Sequence, residues 1–348
     1  MGELPHPLSL RRSSSNHITI KSYLREDEMS ALSKSSTAPI GKQGFRRFSE
    51  AGISTYLMLS PFAILFIVFS VYPVLASLRL SFMRYNAICN PEQSPCGSVG
   101  FGNYTTLILR DERFHKALSN TSLYVIGAVI LGMIASLSLA LALQEDTRIN
   151  RIMRVVFFLP SVTSGIAVVL VWGWVFRGDG VGLLNAFLNV FGVAPVEWLA
   201  TTWMAIPILI FMSIWGGAGF GMILFLAGLN SIPAMYYEAA VIDGAGPRER
   251  FRYITLPLLR PVMVYVGITG IIGAFQIFEG VYLLFPTSVG SIGGLQDMAL
   301  MIVPYLYDAG FNKFRLGYAS AIAWVLFGII FIVSMINLKI TRSLEDLK

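Results

Sequence analysis

Six stretches of this chain are long and apolar enough to cross a lipid bilayer, and this limits the fold more than any other feature. A hydrocarbon core of about 30 Å needs about 20 apolar residues in a helix. Ala51 to Leu78 carries no charge, and Tyr56 to Leu78 is the apolar heart of that run. Thr121 to Leu143, Val155 to Phe176 and Trp203 to Leu229 follow, the last inside an uncharged run from Trp198 to Tyr237. Pro261 to Phe285 is the fifth stretch, interrupted only by Glu279, and Leu316 to Leu338 is the sixth. Lipid offers no partner to an open backbone N–H or C=O, so these segments read as helices. A barrel would show short segments of alternating polarity instead. Charged residues make up only 13% of the chain and mean hydropathy is +0.66, too few charges to coat soluble domains of this length. The expected fold class is an all-α integral membrane protein with six transmembrane helices. Pro61, Pro73 and Pro160 fall inside spans as tolerated kinks.

Lys and Arg set the orientation. With residues 1–50 inside, 18 of the 26 Lys and Arg residues fall in the inner segments. Both termini are then cytoplasmic. Residues 1–50 are polar, Ser-rich and basic, without the apolar core of a signal peptide, and read as a disordered tail. Residues 51–342 form the membrane domain, with an outer loop at 84–118 and a cytoplasmic loop at 230–260, and 343–348 form a short cytoplasmic tail. The net charge of +6 would suggest nucleic acid in a soluble protein. Here it reflects charges flanking spans, and no nucleic-acid partner is expected. Cys89 and Cys96 lie in the outer loop with Pro91 and Pro95 between them. On an oxidising side they suit a short disulfide that staples the loop, with two free thiols as the alternative.

No catalytic or metal constellation is visible. The three histidines, His6, His17 and His115, lie outside the spans. A phosphate-binding Gly-x4-Gly-Lys-Ser/Thr loop is missing, because Gly41-Lys42 is followed by Gln43 and lacks the preceding glycine.

The cytoplasmic loop is the most informative segment. Glu238 to Asp243 favours a short helix, and Ala239 and Ala240 give it a thin surface that a partner can approach closely. Gly244 and Gly246 break that helix, and Pro247 suits the first turn of a second one. Phe251 and Ile254 share a face, and Leu256-Pro257 ends the element. The result is a two-helix platform on the inner membrane surface.

Glu238-Ala239-Ala240, then Gly244, then Ile254-x-Leu256-Pro257 at fixed spacing resembles the EAA loop of bacterial binding-protein-dependent ABC importer permeases. The similarity extends over 51–342. Phe101-Gly102-Asn103-Tyr104 with Phe114, Ala117-Leu118 and Asn120-Thr121, then Phe158-Leu159-Pro160 with Trp172, and then Tyr305, Phe311 and Gly317 to Ala321 resemble the sugar-uptake branch, which includes the larger maltose-type and glycerol-phosphate-type subunits. Phe285-Pro286-Thr287-Ser288 departs from the glycine-rich sequence that relatives often carry after span five.

The resemblance implies a type I ABC importer permease fold in the bacterial inner membrane and no enzymatic activity in this chain. ATP and Mg would sit on a partner, and the chain itself would bind no cofactor. Partners would be a second homologous permease, usually in a heterodimer, two ABC ATPase subunits, an extracytoplasmic solute-binding protein and the lipid bilayer. Glu238 would anchor the ATPase, Ala239 and Asp243 would touch it, and Gly244 would set the turn. The cargo would be a sugar or oligosaccharide, with glycerol phosphate or another polyol as the alternative. An ion-coupled secondary transporter would need intramembrane ion ligands, and a membrane enzyme would need paired acids or a nucleophile.

Candidates for the substrate path are Ser213, Trp215, Gly217 and Phe220 on span four, and Gln276 and Glu279 on span five. Gln276 and Glu279 are three residues apart on one helical face. Glu279 reads equally as a pathway acid or as a wetted helix end near the outer interface. Trp215 and Phe220 read equally as lipid-facing or packing residues, with Gly216, Gly217 and Gly219 allowing close helix approach. Trp172, Trp198 and Trp203 suit interfacial belts.

Overall fold

The computed structural model describes residues 51–86, 96–285 and 292–343. The tail at 1–50, Cys89 and the last residues therefore lie outside the described residues. The chain divides into two compact units, 1–67 and 68–348. The first contributes helix α1 (Ala51–Phe66), and the packing below concerns the second.

A π turn, Ile67–Val71, leads to α2 (Tyr72–Ser81). Strands β1 (Met83–Arg84) and β2 (Gly97–Ser98) pair antiparallel, with Met83 opposite Ser98. Then come α3 (Gly102–Leu109), α4 (Glu112–Ala142), α5 (Arg148–Val162), α6 (Gly165–Val175), α7 (Leu183–Asn189) and α8 (Ala205–Asn230). After these lie α9 (Ala234–Ile242), α10 (Pro247–Arg250), α11 (Leu256–Leu258) and α12 (Arg260–Phe275). The chain continues through α13 (Glu279–Leu284), α14 (Ile302–Tyr307) and α15 (Leu316–Ser343). Among the described residues, five helical segments meet the length and hydropathy needed to cross a membrane, and six do if α5 and α6 count as one bent span. Many of their large apolar side chains are exposed, a surface that suits lipid and not water.

Three sequence expectations change. The third span is not a single rod, because α5 and α6 meet at 98°. Pro160 has no N–H to donate, and Thr163 leaves the helix with φ −79° and ψ 147°. Ser161 Oγ donates to the Phe158 carbonyl at 2.7 Å and Thr163 Oγ1 to the Leu159 carbonyl at 2.9 Å, so hydroxyls replace hydrogen bonds that the break removes. The fifth span also breaks, at Gln276–Phe278, and Glu279 opens a new helix instead of continuing the old one. Finally, the loop at 84–118 carries secondary structure of its own. It holds β2, α3 and the first turns of α4, which starts at Glu112 and carries His115 with it. Asp111 starts that helix, its side chain accepting from Phe114 N at 3.0 Å.

Arg154 closes the other end of α4. Its Nε and Nη2 donate to the Leu143 carbonyl at 3.0 and 2.7 Å, and Nη2 also reaches the carbonyls of Gln144 and Glu145. These are acceptors that a helix end leaves open. Asn185 ties the 177–198 connection together. Its amide donates to the carbonyls of Arg177 and Val196, and its oxygen accepts from Val196 N and Trp198 Nε1.

Helices α4 and α8 form the central pair, α5 and α12 pack against it, and α15 packs on α12 and α2. A close backbone approach lies between α5 and α8. A Cβ on Gly219 would collide with the Phe157 carbonyl oxygen and lie 2.8 Å from Phe158 Cα, so only glycine lets the two backbones touch. One apolar cluster surrounds Leu209, Ile302 and Ile322, and a second, near the 230–260 end, surrounds Phe225, Leu229 and Leu259.

Candidate functional site

Three sets of residues stand out, the first in the 230–260 segment. Helix α9 ends at Ile242 because Gly244 adopts φ +80°, a conformation that costs glycine little and other residues more. Gly244 N donates to the Val241 carbonyl at 3.0 Å and Ala245 N to the Ala240 carbonyl at 2.8 Å, closing the helix end. Pro247 opens α10, and the Glu249 carboxylate accepts from Gly246 N. A π turn at Phe251–Thr255 then runs into α11, so Leu256-Pro257 continues the helical path where an end was expected. The hydroxyls of Tyr237 and Thr255 meet at 3.0 Å and tie the two arms into an elbow.

Glu238, Ala239 and Asp243 are exposed on that elbow, Ala240, Ile254, Leu256 and Pro257 are half-buried, and Ile242 is 86% exposed. The second arm carries an apolar groove of about 550 Å3 lined by Pro247, Arg248, Phe251, Arg252 and Leu256. Phe251 was visible in the sequence as a residue on a helical face. The groove itself was not.

The second set lines two cavities that share Tyr124 and Ser213. The larger is about 630 Å3, between α4, α5, α8 and α12, and takes Ser213, Gly217 and Phe220 into its wall. The smaller is about 420 Å3 and includes Gln276, Phe278 and Glu279. Gln276 and Glu279 reach it from opposite sides of the helix break and not from one helical face. A Cβ on Gly165 would meet the Glu279 carboxylate, so this acid sits against the first residue of α6, where the helix dipole favours negative charge. Trp215 is not in either wall. Its ring meets Trp172 edge-on at 5.5 Å, and Trp172 also packs on Phe176 and Phe211. Trp172, Trp198 and Trp203 line an apolar pocket of about 440 Å3. Gly216 and Gly217 have open space where a side chain would go. Of the three glycines in that run, only Gly219 makes a tight helix contact.

The third set lies at the opposite end from the elbow, and sequence reading noted its Asn120, Thr121, Tyr305 and Tyr318 but missed Asp111, Arg113, Asp297 and Asp308. Arg113 Nε donates to Asp297 Oδ2 at 2.8 Å and Nη2 to Asp297 Oδ1 at 2.6 Å, a two-pronged pair, and Nη1 reaches Asp308 at 3.1 Å. The Asp308 side chain is fully buried and also accepts from Lys313 at 2.6 Å and Asn312 at 3.1 Å. Burial alone would raise its pKa. Lys313, Asn312 and Arg113 outweigh that and hold the carboxyl below the usual carboxylate range. Asp111 is likewise held low against its burial by the phenols of Tyr305 and Tyr318, while burial and the Asp111 carboxylate push Tyr305 up. Asn120 Nδ2 donates to the carbonyls of Asp297, Met298 and Leu300, and Thr121 Oγ1 accepts from Ile302 N. These contacts fasten the buried segment before α14 to the first turns of α4. Among the described residues, no three His, Cys, Asp or Glu side chains are placed to hold a metal ion.

Several apolar spans around an uncharged central cavity, with an exposed two-armed platform at one end, define a multi-pass membrane transport subunit. Residues 128–346 match the family of binding-protein-dependent transport system inner membrane components, and the chain belongs to that family. It is 36% identical over 296 residues to the probable ABC transporter permease protein YesP of Bacillus subtilis, covering 84% of this chain and 92% of that protein. It is 35% identical to the arabinooligosaccharides transport system permease protein AraP of the same organism, covering 86% and 91%. With the trehalose/maltose transport system permease protein MalF of Thermococcus litoralis it shares 31% identity, covering 86% and 97%. The fold matches a chain of a bacterial ABC transporter for the acidic polysaccharide alginate with a TM-score of 0.72 at 24% identity, covering 84% of this chain and 96% of that one.

Proposed function

We propose that this chain forms half of the path by which a carbohydrate enters the cell, driven by ATP hydrolysis on separate subunits. The observation that carries the reading is the elbow at 234–258. Its arms are locked by Tyr237 and Thr255 and its turn is set by the positive φ of Gly244. It also offers exposed Glu238, Asp243 and Ile242 outside the spans. An exposed apolar residue beside acids on a rigid element suits docking to another protein. In this reading the elbow faces the cytoplasm, both termini lie inside, and ATP and Mg bind to two ATPase subunits seated there. Glu238 anchors the ATPase, Ala239, Ala240 and Asp243 form the contact, and Ile254, Leu256 and Pro257 carry its movement into α12. A second homologous permease supplies the other half of the path, and an extracytoplasmic binding protein delivers the cargo.

The names of the relatives support carbohydrate: arabinooligosaccharides for AraP and trehalose/maltose for MalF. The cavities agree in chemistry. Among the described residues, Tyr, Ser, Thr and Gln side chains and the Glu279 carboxylate supply polar atoms, Phe rings supply apolar faces, and no Lys, Arg or His lines either wall. A phosphate ester would call for such cations, so a neutral sugar fits better than glycerol phosphate.

The test is uptake of arabino-oligosaccharides and malto-oligosaccharides into vesicles holding the permease pair, the ATPase and the binding protein. Uptake is expected to require ATP. Gly244→Asp is expected to reduce it at least about 100-fold while the chain remains membrane-inserted, because a side chain at φ +80° strains the turn and blocks docking. Full uptake without the ATPase would end the reading.

A further inference from the structure

Four aromatic rings lead away from the cavity at Glu279. Phe278 lines that cavity. Its ring stacks on Tyr282 of α13, with centroids 5.1 Å apart and planes inclined by 22°. Tyr307, at the end of α14, lies 5.2 Å from Phe278 and 5.5 Å from Tyr282. Phe311 stacks on Tyr307 at 5.0 Å and 26°. Two pairs spaced four residues apart, from two different helices, thus merge into one surface. It runs from the cavity to the π turn at Asp308–Asn312. Phe311 is 59% exposed and Tyr282 39%.

The make-up of this face says what covers it. Lipid would accept the rings. The same region, however, exposes Gln276 and Glu279, and a carboxylate is strongly disfavoured in hydrocarbon. A buried protein seam would leave that carboxylate in need of a cation, and no cation lines its cavity among the described residues. A sugar ring satisfies both halves of the surface. Its C–H faces lie on aromatic rings, and its hydroxyls bond to amide, carboxylate and phenol. One glycosyl unit in the cavity would leave the rest of a chain lying outward, where the rings continue.

We propose that Phe278, Tyr282, Tyr307 and Phe311 form an outer carbohydrate subsite that holds the glycosyl units beyond the one in the cavity. The subsite makes longer oligosaccharides better cargo than short ones. This rests on the carbohydrate reading above.

The experiment compares disaccharide with tetrasaccharide in both the arabino and malto series, using the complete ATP-driven transporter in vesicles. The readout is the ratio of uptake efficiencies, tetrasaccharide over disaccharide. Tyr307→Leu and Phe311→Leu are each expected to lower that ratio about fivefold, the scale of one lost ring contact. Phe311→Tyr keeps the ring and is expected to retain most of the preference. An unchanged ratio, or equal loss for both lengths, overturns the subsite while wild-type sugar uptake leaves the carbohydrate reading standing. Wild-type transporter that takes up neither series overturns both. Should the leucine variants fail to assemble, Phe311→Cys gives a second measurement. Saturating tetrasaccharide is expected to slow its labelling by a membrane-impermeant maleimide, and labelling unaffected by sugar overturns the subsite.

Discussion

Helices α4 and α8 run unbroken for 31 and 26 residues, whereas of the two neighbouring segments α5–α6 bends by 98° and α12–α13 is interrupted at Gln276–Phe278. The unbroken pair supplies the frame. The broken pair supplies the irregular backbone, and both breaks open onto the smaller cavity through Gly165 and Gln276–Glu279. Backbone that leaves the helix at membrane depth is tolerated only where it lines a cavity or is covered by protein. The contrast therefore separates regular helix from irregular backbone at the smaller cavity, although all four segments carry long apolar runs.

The sharpest way to break that comparison is at Gly219. Gly219→Val would drive a branched side chain into the α5 backbone, and loss of most folded protein is expected, read as inserted, monodisperse chain after detergent extraction. Next in size is Arg113→Met. Removing the cation that bridges Asp297 and Asp308 is expected to destabilise the far end by on the order of 2 kcal/mol, less than a deeply buried pair because Arg113 is partly exposed. Thermal unfolding in detergent measures it.

A smaller effect is expected from pH. The folded Asp308 carboxyl titrates below its ordinary value of 3.8. Its stabilising contribution is therefore complete above that value and is lost only as pH falls through the lower, folded one. Proteolysis of the far-end loops is expected to stay constant from neutral pH down to about 5 and to rise below about 4, and Asp308→Asn reduces that acid step to the share carried by Asp111. Smallest of all is Gly217→Ala. Nothing lies near its missing Cβ and alanine favours the helix by about 1 kcal/mol, so yield is expected to hold or rise slightly. A collapse in yield like that of Gly219→Val would erase the distinction between wall and contact.

The elbow was legible because its signals are local. Gly244 must turn, Pro247 must start a helix, and both lie within one short segment. The break between α5 and α6 left a signal that was underread. Pro160, Thr163, Ser164 and Gly165 together do more than kink a rod, and the hydroxyl bonds of Ser161 and Thr163 show how the break is tolerated. The far-end assembly left no such trace. Arg113 and Asp297 are 184 residues apart, and Tyr305 and Asp111 are 194 apart. Neither periodicity nor spacing announces a pairing that only the folded chain creates. The substrate-path candidates were partly legible, since small and polar residues on α8 do reach a cavity. Trp215 went elsewhere because a large ring gains more from Trp172 than from an open wall.

The meeting of α5 and α8 at Gly219 has a mechanical consequence. Main chain rests on main chain there, with no rotamer between them to flip and absorb a displacement. A tilt of α8, which leads directly toward the elbow, is handed to α5 almost rigidly, and α5 ends at the bend beside Glu279. A thrust at one membrane face thus arrives at the bend with little slack, like a gear cut without backlash.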